Sequence, residues 1–171
     1  VQPVIFLETS FTTIAFPTII MPVESMGGDM LKAEAPELLE KYELNAFCMK
    51  VQGLDRTLAD KVFAVCDYYL QNRVRKHSRH LYDIYMLLPL VRQDEAFRML
   101  VQEVRSVRKP SLICPSAKDE VDIPALLTEI IQNEAYREDY RNLTEKLLEE
   151  KVDYDTAVTA LKRIAAGDMF A

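Results

Sequence analysis

Short apolar runs alternate with polar and turn-forming residues in the N-terminal part of the chain. Runs of this length, bounded by proline and polar residues, predict β-strands, which we place at Val4–Leu7, Ile14–Met21 and Ala46–Val51. Pro36 precedes a short segment, residues 37–41, that predicts a helix. So few strands do not form a stable sheet alone. We therefore expect them to be the edge of a sheet whose other strands precede Val1.

From about Leu54 onward, apolar residues recur with the period of an α-helix. The predicted helices cover residues 58–70, 78–88, 93–107, 123–133, 136–151 and 155–166. Thr57, Ser78 and Asp155 are the predicted N-caps of three of them, and Pro124 suits a first helical turn. The chain thus predicts an α+β fold with two domains, residues 1–53 and residues 54–171.

Composition narrows the classes of protein that fit. The 171 residues carry a net charge of −6, so a wholly basic, nucleic-acid-binding surface is excluded. One basic cluster remains, formed by Arg73, Arg75, Lys76, His77, Arg79 and His80. Three cysteines form no Cys-x-x-Cys pair, which indicates neither a disulfide framework nor a zinc site. Cys66 lies on an apolar helix face and predicts a buried thiol in a reducing cytoplasm.

Two segments place cations and acids near the starts of predicted helices. Lys61 lies where backbone N–H groups attract anions, so its ammonium group can hold a triphosphate. Asp83 follows Arg79 by one helical turn, so we expect the arginine to orient this carboxylate. Phosphoryl and nucleotidyl transfer need positioned cations, metal-binding carboxylates and an acceptor. The two segments are therefore candidates for this chemistry.

These segments resemble two motifs of the abortive-infection AbiE family, in its AbiEii toxin branch. Arg56-Thr57 followed by Asp60-Lys61 is similar to the family's third motif, in which glutamate is the more common acid. The segment from Ser78 to Tyr85 is similar to the family's fourth motif, Ser-Arg-His-Tyr-Tyr-Asp-Leu-Tyr, and differs only by two apolar exchanges. Lys61 and Asp83 match the family's functional lysine and aspartate. Asp139-Tyr140 resembles a further family pair in a late helix.

The resemblance implies a DNA polymerase β-like nucleotidyltransferase core followed by a helical bundle. Such enzymes use Mg²⁺ and a nucleoside triphosphate (NTP), and this family implies transfer to RNA, notably the acceptor end of tRNA. It also implies a cytoplasmic toxin of a type IV toxin–antitoxin system in phage defence. The partner is then a cognate antitoxin that represses transcription without stable direct binding. No membrane partner is expected.

Site residues follow from the same resemblance. Lys61 and Asp83 are predicted to be catalytic, and Glu8 is predicted to be catalytic and a metal-site carboxylate. The residues predicted to contact nucleotide or RNA are Arg56, Thr57, Arg75, Arg79 and His80. The family's first motif, Gly-Ser followed by a carboxylate pair, has no counterpart. Gly27-Gly28-Asp29 is the nearest string, but it stands in the wrong context. We therefore expect this chain to begin inside a longer protein and to be inactive alone.

Two other classes of protein stay open. The chain can be a non-catalytic helical interaction module, in which case Lys61 and Asp83 lie far apart or face bulk water. Alternatively, Arg75 and His80 fit the Arg-x4-His spacing of HEPN-type RNases, which requires the two residues to converge. His77 and His80 are also spaced so that both could bind a metal, although no third ligand stands nearby.

Overall fold

The computed structural model describes residues 16–171. The chain divides into two compact units, Val1–Gly53 and Leu54–Ala171. The structure is 60% helical, and its sheet, among the residues described, has two antiparallel strands. The predicted α+β class is therefore confirmed. The predicted strand Val4–Leu7 and the candidate Glu8 lie outside the described residues, and the first unit's origin in a nucleotidyltransferase core stays a prediction.

The first unit contains one strand pair and two helices. Its elements are β1 (Thr18–Val23), α1 (Met26–Glu34), α2 (Glu37–Lys41) and β2 (Phe47–Gln52). The strands pair antiparallel, from Thr18 opposite Gln52 to Val23 opposite Phe47. The predicted strand Ile14–Met21 ends just before Pro22, whereas β1 continues through Pro22 to Val23. Proline is tolerated in a strand that has a free edge, and β1 pairs only with β2 among residues 16–171.

Helix α1 was not predicted, because Gly27 and Gly28 weaken the helical signal. The side chain of Ser25 caps it by accepting a hydrogen bond from the N–H of Gly28 at 2.9 Å. A Cβ atom at Gly28 would lie 2.8 Å from the carbonyl oxygen of Leu44. Glycine is therefore required here by close backbone approach.

The second unit is a helical bundle. Its α-helices are α3 (Leu54–Leu70), α4 (Arg79–Leu87), α5 (Glu95–Arg108), α6 (Ile123–Gln132), α7 (Arg137–Asp139), α8 (Glu145–Leu147) and α9 (Tyr154–Ala165). Short 3₁₀ turns cover Leu88–Leu90 and Pro115–Ala117, and a π-helical turn covers Tyr140–Thr144. Helix α3 is central, since it packs on α4, α5 and α6, while α9 covers α4 and α6.

Helix α3 is buried over most of its circumference. Six apolar side chains of α3 are fully buried: Leu58, Ala59, Val62, Phe63, Val65 and Cys66. The buried thiol predicted at Cys66 is confirmed. Burial raises the pKa of this thiol, and the negative charge of Asp67 raises it further. Leu81 and Ile84 of α4 are buried as well. This apolar contact fixes the faces that α3 and α4 present to one another.

One of the three predicted helix caps is right in position, and two are wrong. Helix α3 begins at Leu54, so Thr57 lies inside its first turn. Ser78 occupies the N-cap position of α4 as predicted, but its hydroxyl group pairs with that of Thr144 at 2.8 Å and makes no capping bond. Asp153, not Asp155, caps α9 by accepting the N–H of Thr156 at 2.7 Å. At α4 a tertiary contact therefore takes the place of the local capping bond.

The helix predicted over residues 136–151 is shorter and less regular than expected. Helical turns run without a break from Arg137 to Leu147, with the π-helical turn between α7 and α8. Tyr136 and Tyr140 are fully buried and donate hydrogen bonds to the carbonyl groups of Val65 and Val152, at 2.7 and 3.1 Å. Pro124, by contrast, lies in the first turn of α6 behind the N-cap Asp122, as predicted.

No helix among residues 16–171 combines the length and the apolar character that crossing a membrane requires.

Candidate active site

Lys61 and Asp83 meet across the contact between α3 and α4. The ammonium group of Lys61 donates a hydrogen bond to Oδ2 of Asp83 at 2.6 Å. Their side chains keep 29% and 31% of their exposure. The structure therefore brings together the two residues predicted to be catalytic and leaves both reachable from solvent.

His80 completes a three-membered cluster. Its Nδ1 lies 3.4 Å from Nζ of Lys61 and 3.5 Å from Oδ2 of Asp83. The side chain of His80 is only 10% exposed. His80 and Asp83 are three residues apart in α4 and share a helix face, which points at Lys61 on α3. We refer to Lys61, His80 and Asp83 as the open cluster.

The pKa of the Asp83 carboxyl group is lowered by the open cluster. Burial alone would raise this pKa, but the contact with His80, the hydrogen bond from Lys61 and the positive charge of Lys61 outweigh it. A carboxylate held ionised beside an ammonium group can accept a hydrogen bond from an incoming hydroxyl group. The ammonium group, with three donors, can bind a phosphate oxygen while it keeps Asp83.

Three aromatic rings stack beside the open cluster. The rings of Tyr68 and His77 lie 3.5 Å apart between centroids, with an interplanar angle of 11°. His80 is nearly parallel to both, at 5.8 Å from Tyr68 and 6.1 Å from His77. Tyr68 lies two turns after Lys61 on α3, so one face of this helix supplies both the ammonium group and the base of the stack.

The turn that leads into α4 is fixed from a distance by Asp139. Its carboxylate accepts the N–H of Lys76 at 2.8 Å and that of Ser78 at 3.2 Å. Lys76 has a φ of 68°, in the left-handed region that non-glycine residues rarely adopt. Burial would raise the pKa of Asp139, but these hydrogen bonds lower it on balance. Asp139 thus positions the start of α4.

Arg56 and Asp60 belong to a different group of charges, which the sequence did not reveal. Arg56 is 1% exposed, and its Nε donates to Asp60 at 2.9 Å. Arg108 of α5 donates to Asp60 at 3.0 Å and to Asp67 at 2.8 Å. Asp67 also accepts the N–H and the hydroxyl group of Ser116, at 2.8 and 2.7 Å. We refer to these five residues as the closed network.

The remaining predicted contact residues are Thr57 on α3, Arg75 in the loop between α3 and α4, and Arg79 at the start of α4. We refer to the loop of residues 71–78, together with Arg79, as the basic loop. Thr57 is half-buried, one turn before Lys61 on the same helix face. Arg79 is exposed and donates to the carbonyl group of Lys76 at 3.3 Å. The expectation that Arg79 orients Asp83 is wrong, because that carboxylate faces α3 and is taken by Lys61. Arg75 is exposed and lines a surface depression of about 420 Å³ with Glu138 and Asn142.

Arg75 and His80 contact different groups within one chain. Arg75 borders the depression on the outer side of the loop, whereas His80 is buried against Lys61. The convergence that an HEPN-type RNase needs would therefore involve a second chain.

The described residues do not supply a metal site. No group of three or more His, Cys, Asp or Glu side chains within residues 16–171 is arranged to hold a metal ion. Asp83 contributes one carboxylate, and this group is already paired with Lys61. Asp29 lies in the first turn of α1 and not on a strand. The residues described thus do not fit Mg²⁺ by themselves, and the role predicted for Glu8 falls outside them.

Comparison with known proteins gives one match. No curated protein and no solved structure matches the chain. The family model described as "Nucleotidyl transferase AbiEii toxin, Type IV TA system" matches residues 1–160. This match includes both segments that carry Lys61 and Asp83, and it confirms the resemblance seen in the sequence. The chain therefore belongs to the AbiEii family of nucleotidyl transferase toxins of type IV toxin–antitoxin systems.

Proposed function

We propose that this protein transfers nucleotides from a nucleoside triphosphate to an RNA acceptor, with tRNA as the first candidate. Membership of the family supports nucleotidyltransferase activity, use of a nucleoside triphosphate and an antitoxin partner in general terms. The pairing of Lys61 with Asp83 across α3 and α4 is the observation that carries the finer proposal. It places a cation and an ionised carboxylate side by side and half-exposed.

The two residues have complementary roles in this proposal. Lys61 holds the triphosphate as a point charge. Asp83, with its lowered pKa, accepts the hydrogen bond of the acceptor hydroxyl group and orients it for attack. For a helical interaction module with solvated charges, we expected these side chains to lie far apart or to face bulk water. Their contact at 2.6 Å and their partial burial favour the enzyme.

The basic loop suits an RNA backbone. Arg75 and Arg79 are exposed, and they follow Arg73 in a chain that is otherwise acidic. Exposed arginines bind phosphates without reading sequence. The loop joins α3 to α4, so a backbone bound there would bring its end towards the open cluster. We infer that this loop contributes to acceptor binding, with Thr57 beside Lys61 on the nucleotide side.

Further parts of the proposal rest on the family alone. The family's motif of Gly-Ser and a carboxylate pair is not found in residues 1–171, so we propose that this chain alone does not transfer nucleotides. Mg²⁺ dependence, a metal-site role for Glu8, a cytoplasmic location, phage defence and an antitoxin that does not bind stably belong to the same proposal.

The test is a transfer assay on the full-length gene product, with residues 1–171 assayed beside it. Labelled nucleoside triphosphates are incubated with total tRNA, with and without Mg²⁺. Lys61→Ala and Asp83→Ala are compared with Lys162→Ala, which removes an exposed lysine from α9. We expect label to enter RNA with the wild type and the control and to fall by roughly 100-fold or more in both site variants.

Other results would contradict separate parts of this proposal. Transfer that survives in Lys61→Ala and Asp83→Ala would remove these residues from the machinery. No transfer by any folded variant would favour a different acceptor or the interaction module. Metal-dependent transfer by residues 1–171 alone would show that the missing motif is not needed.

A further inference from the structure

His80 lies in the wrong place for direct contact with a large substrate. Its side chain is 10% exposed, whereas Lys61 and Asp83 beside it are about three times as exposed. Its Nδ1 points to these two residues and not to the basic loop. A buried imidazole that touches both members of a candidate catalytic pair acts through them.

In the neutral ring, Nδ1 of His80 can make a hydrogen bond to only one of its two neighbours. The ammonium group of Lys61 has donors only, so a hydrogen bond across the shorter contact, at 3.4 Å, needs Nδ1 as its acceptor. A neutral imidazole with an acceptor at Nδ1 carries its proton on Nε2. The contact with Asp83 at 3.5 Å then joins two acceptors, and it becomes a hydrogen bond only when Nδ1 is protonated. In the neutral ring, Nδ1 of His80 thus accepts a hydrogen bond from Lys61 and makes none to Asp83.

Stacking with two other aromatic rings fixes the orientation of the His80 ring. Tyr68, His77 and His80 are within 16° of parallel. Nδ1 of His77 is buried and has no hydrogen-bond partner among the residues described. This ring therefore contributes through stacking and not through a polar contact. Burial lowers the pKa of His77, and the charges of His80, Arg79 and Arg73 lower it further, so the uncharged ring that stacks best is favoured.

We propose that His80 is a positioning residue, which holds the Lys61 ammonium group in place through Nδ1 when a phosphate binds. This proposal rests on the proposed function, in which Lys61 holds the triphosphate. A phosphate that binds Lys61 takes one of its three ammonium hydrogens and pulls the group away from Asp83. His80 accepts another of these hydrogens, and its ring is fixed by the stack, so it keeps the ammonium group directed while Asp83 also accepts from the acceptor hydroxyl group.

The charged and titratable groups around His80 come from three parts of the second unit. Helix α3 contributes Lys61 and Tyr68, α4 itself contributes Asp83 and Arg79, and the loop contributes His77. Among these groups, His80 is the one whose Nδ1 contacts both Lys61 and Asp83.

The kinetic test compares two substitutions of His80 in the full-length gene product. His80→Phe keeps a ring for the stack and removes the acceptor. His80→Asn places an amide oxygen where Nδ1 stands. We expect His80→Phe to raise KM for the nucleoside triphosphate by roughly 10-fold, with a smaller change in kcat, because a hydrogen bond to a charged group is lost. His80→Asn should keep KM within about threefold of the wild type.

A second measurement does not depend on activity. The chain has two histidines, so their imidazole nitrogen resonances in residues 1–171 can be assigned with His77→Gln. We expect the neutral His80 ring to carry its proton on Nε2. Lys61→Met should shift the resonance of its unprotonated Nδ1, while Lys162→Met should leave it unchanged.

The outcomes separate this inference from the proposed function. Wild-type KM in His80→Phe, or a proton on Nδ1 of the neutral ring, would overturn the inference while Lys61 and Asp83 keep their roles. Equal loss in His80→Phe and His80→Asn, with equally lowered thermal midpoints, would reduce His80 to a packing residue and also overturn it. If no variant transfers nucleotides, the proposed function fails, and the nitrogen spectra still decide whether His80 accepts from Lys61.

Discussion

Two groups of charged residues share helix α3 and differ in the solvent exposure of their side chains. The closed network holds Arg56 at 1%, Asp67 at 5% and Arg108 at 11% exposure, and its outermost member, Asp60, keeps 25%. The guanidinium group of Arg108 also lies 5.5 Å from the ring centre of Phe63. In the open cluster, Lys61 and Asp83 keep about 30%. Asp60 and Lys61 are adjacent in the chain, yet one belongs to each group.

This difference separates charges that hold the fold from charges that can bind a ligand. In the closed network, Arg108 ties α5 to α3, and Asp67 ties α3 to the turn at Ser116. Burial lowers the pKa of Arg108, but the hydrogen bond to Asp67 and the nearby negative charges raise it on balance, so the cation stays charged. The open cluster has fewer protein partners and an exposed side, which is what a substrate needs.

The largest change in stability should follow from loss of the central cation of the closed network. Arg108→Met keeps the length of the side chain and leaves Asp67 buried without its charged partner. Breaking a buried pair in this way costs about 3–5 kcal/mol of unfolding free energy. Urea denaturation of residues 1–171 measures it, with Arg163→Met as the control on an exposed arginine.

A loss below about 1 kcal/mol in Arg108→Met would contradict the structural role of the closed network, because such a value is typical of exposed ion pairs. Any active Arg108→Met protein that remains folded should transfer nucleotides at close to the wild-type rate. Loss of transfer without loss of stability would place Arg108 in the site.

A smaller effect should follow from loss of the side chain that fixes the entrance to α4. Asp139→Ala leaves the N–H groups of Lys76 and Ser78 without their acceptor and releases the turn at Lys76. We expect a loss of about 1–3 kcal/mol. Glu138→Ala, at the exposed neighbouring position, is the matched control. Amide hydrogen exchange at Lys76 and Ser78 should also become faster, and unchanged exchange would contradict this role for Asp139.

The smallest expected effect on stability comes from the protonation of Asp83, in the open cluster, at low pH. The folded pKa of Asp83 is lower than its ordinary value of 3.8. The stability that Asp83 contributes is therefore fully present above that value and is lost as the pH falls through the folded pKa. Because the pair with Lys61 is partly exposed, the contribution is no more than about 1 kcal/mol.

Asp83→Asn tests this pH dependence, since asparagine cannot ionise. We expect the wild type to exceed Asp83→Asn in unfolding free energy at about pH 6 and the difference to shrink as the pH falls below 3.8, the ordinary pKa of the carboxyl group. A difference that grows as the pH falls would have the wrong sign for a carboxyl group whose pKa is lowered by folding.

The sequence predicts the open cluster better than it predicts what surrounds it. Lys61 and Asp83 stand in motifs whose spacing is a property of the sequence, and the α-helical period of α3 and α4 places each on a definite face. The closed network joins α3, α5 and a turn that are far apart in sequence. No local sequence pattern identifies Arg108 as the partner of Asp60. This ion pair forms only when tertiary packing brings α5 against α3.

The errors in helix limits have the same physical origin. Ser78 has the residue type of an N-cap, but Asp139, from a distant helix, supplies the acceptors at that point. The helix predicted over residues 136–151 runs from Arg137 to Leu147 and contains a π-helical turn at Tyr140–Thr144, which no local pattern marks. At Ser78, a tertiary contact therefore takes the place of the local capping signal.

The most direct test of the difference between the two groups measures transfer and stability on the same two variants. In full-length Lys61→Ala, we predict loss of nucleotide transfer with an unfolding free energy within about 1 kcal/mol of the wild type. In Arg108→Met, we predict the reverse, a loss of about 3–5 kcal/mol with transfer retained by the folded fraction. If Lys61→Ala transferred nucleotides normally, or if it lost activity only because it unfolded, the assignment of the open cluster as the active site would be wrong.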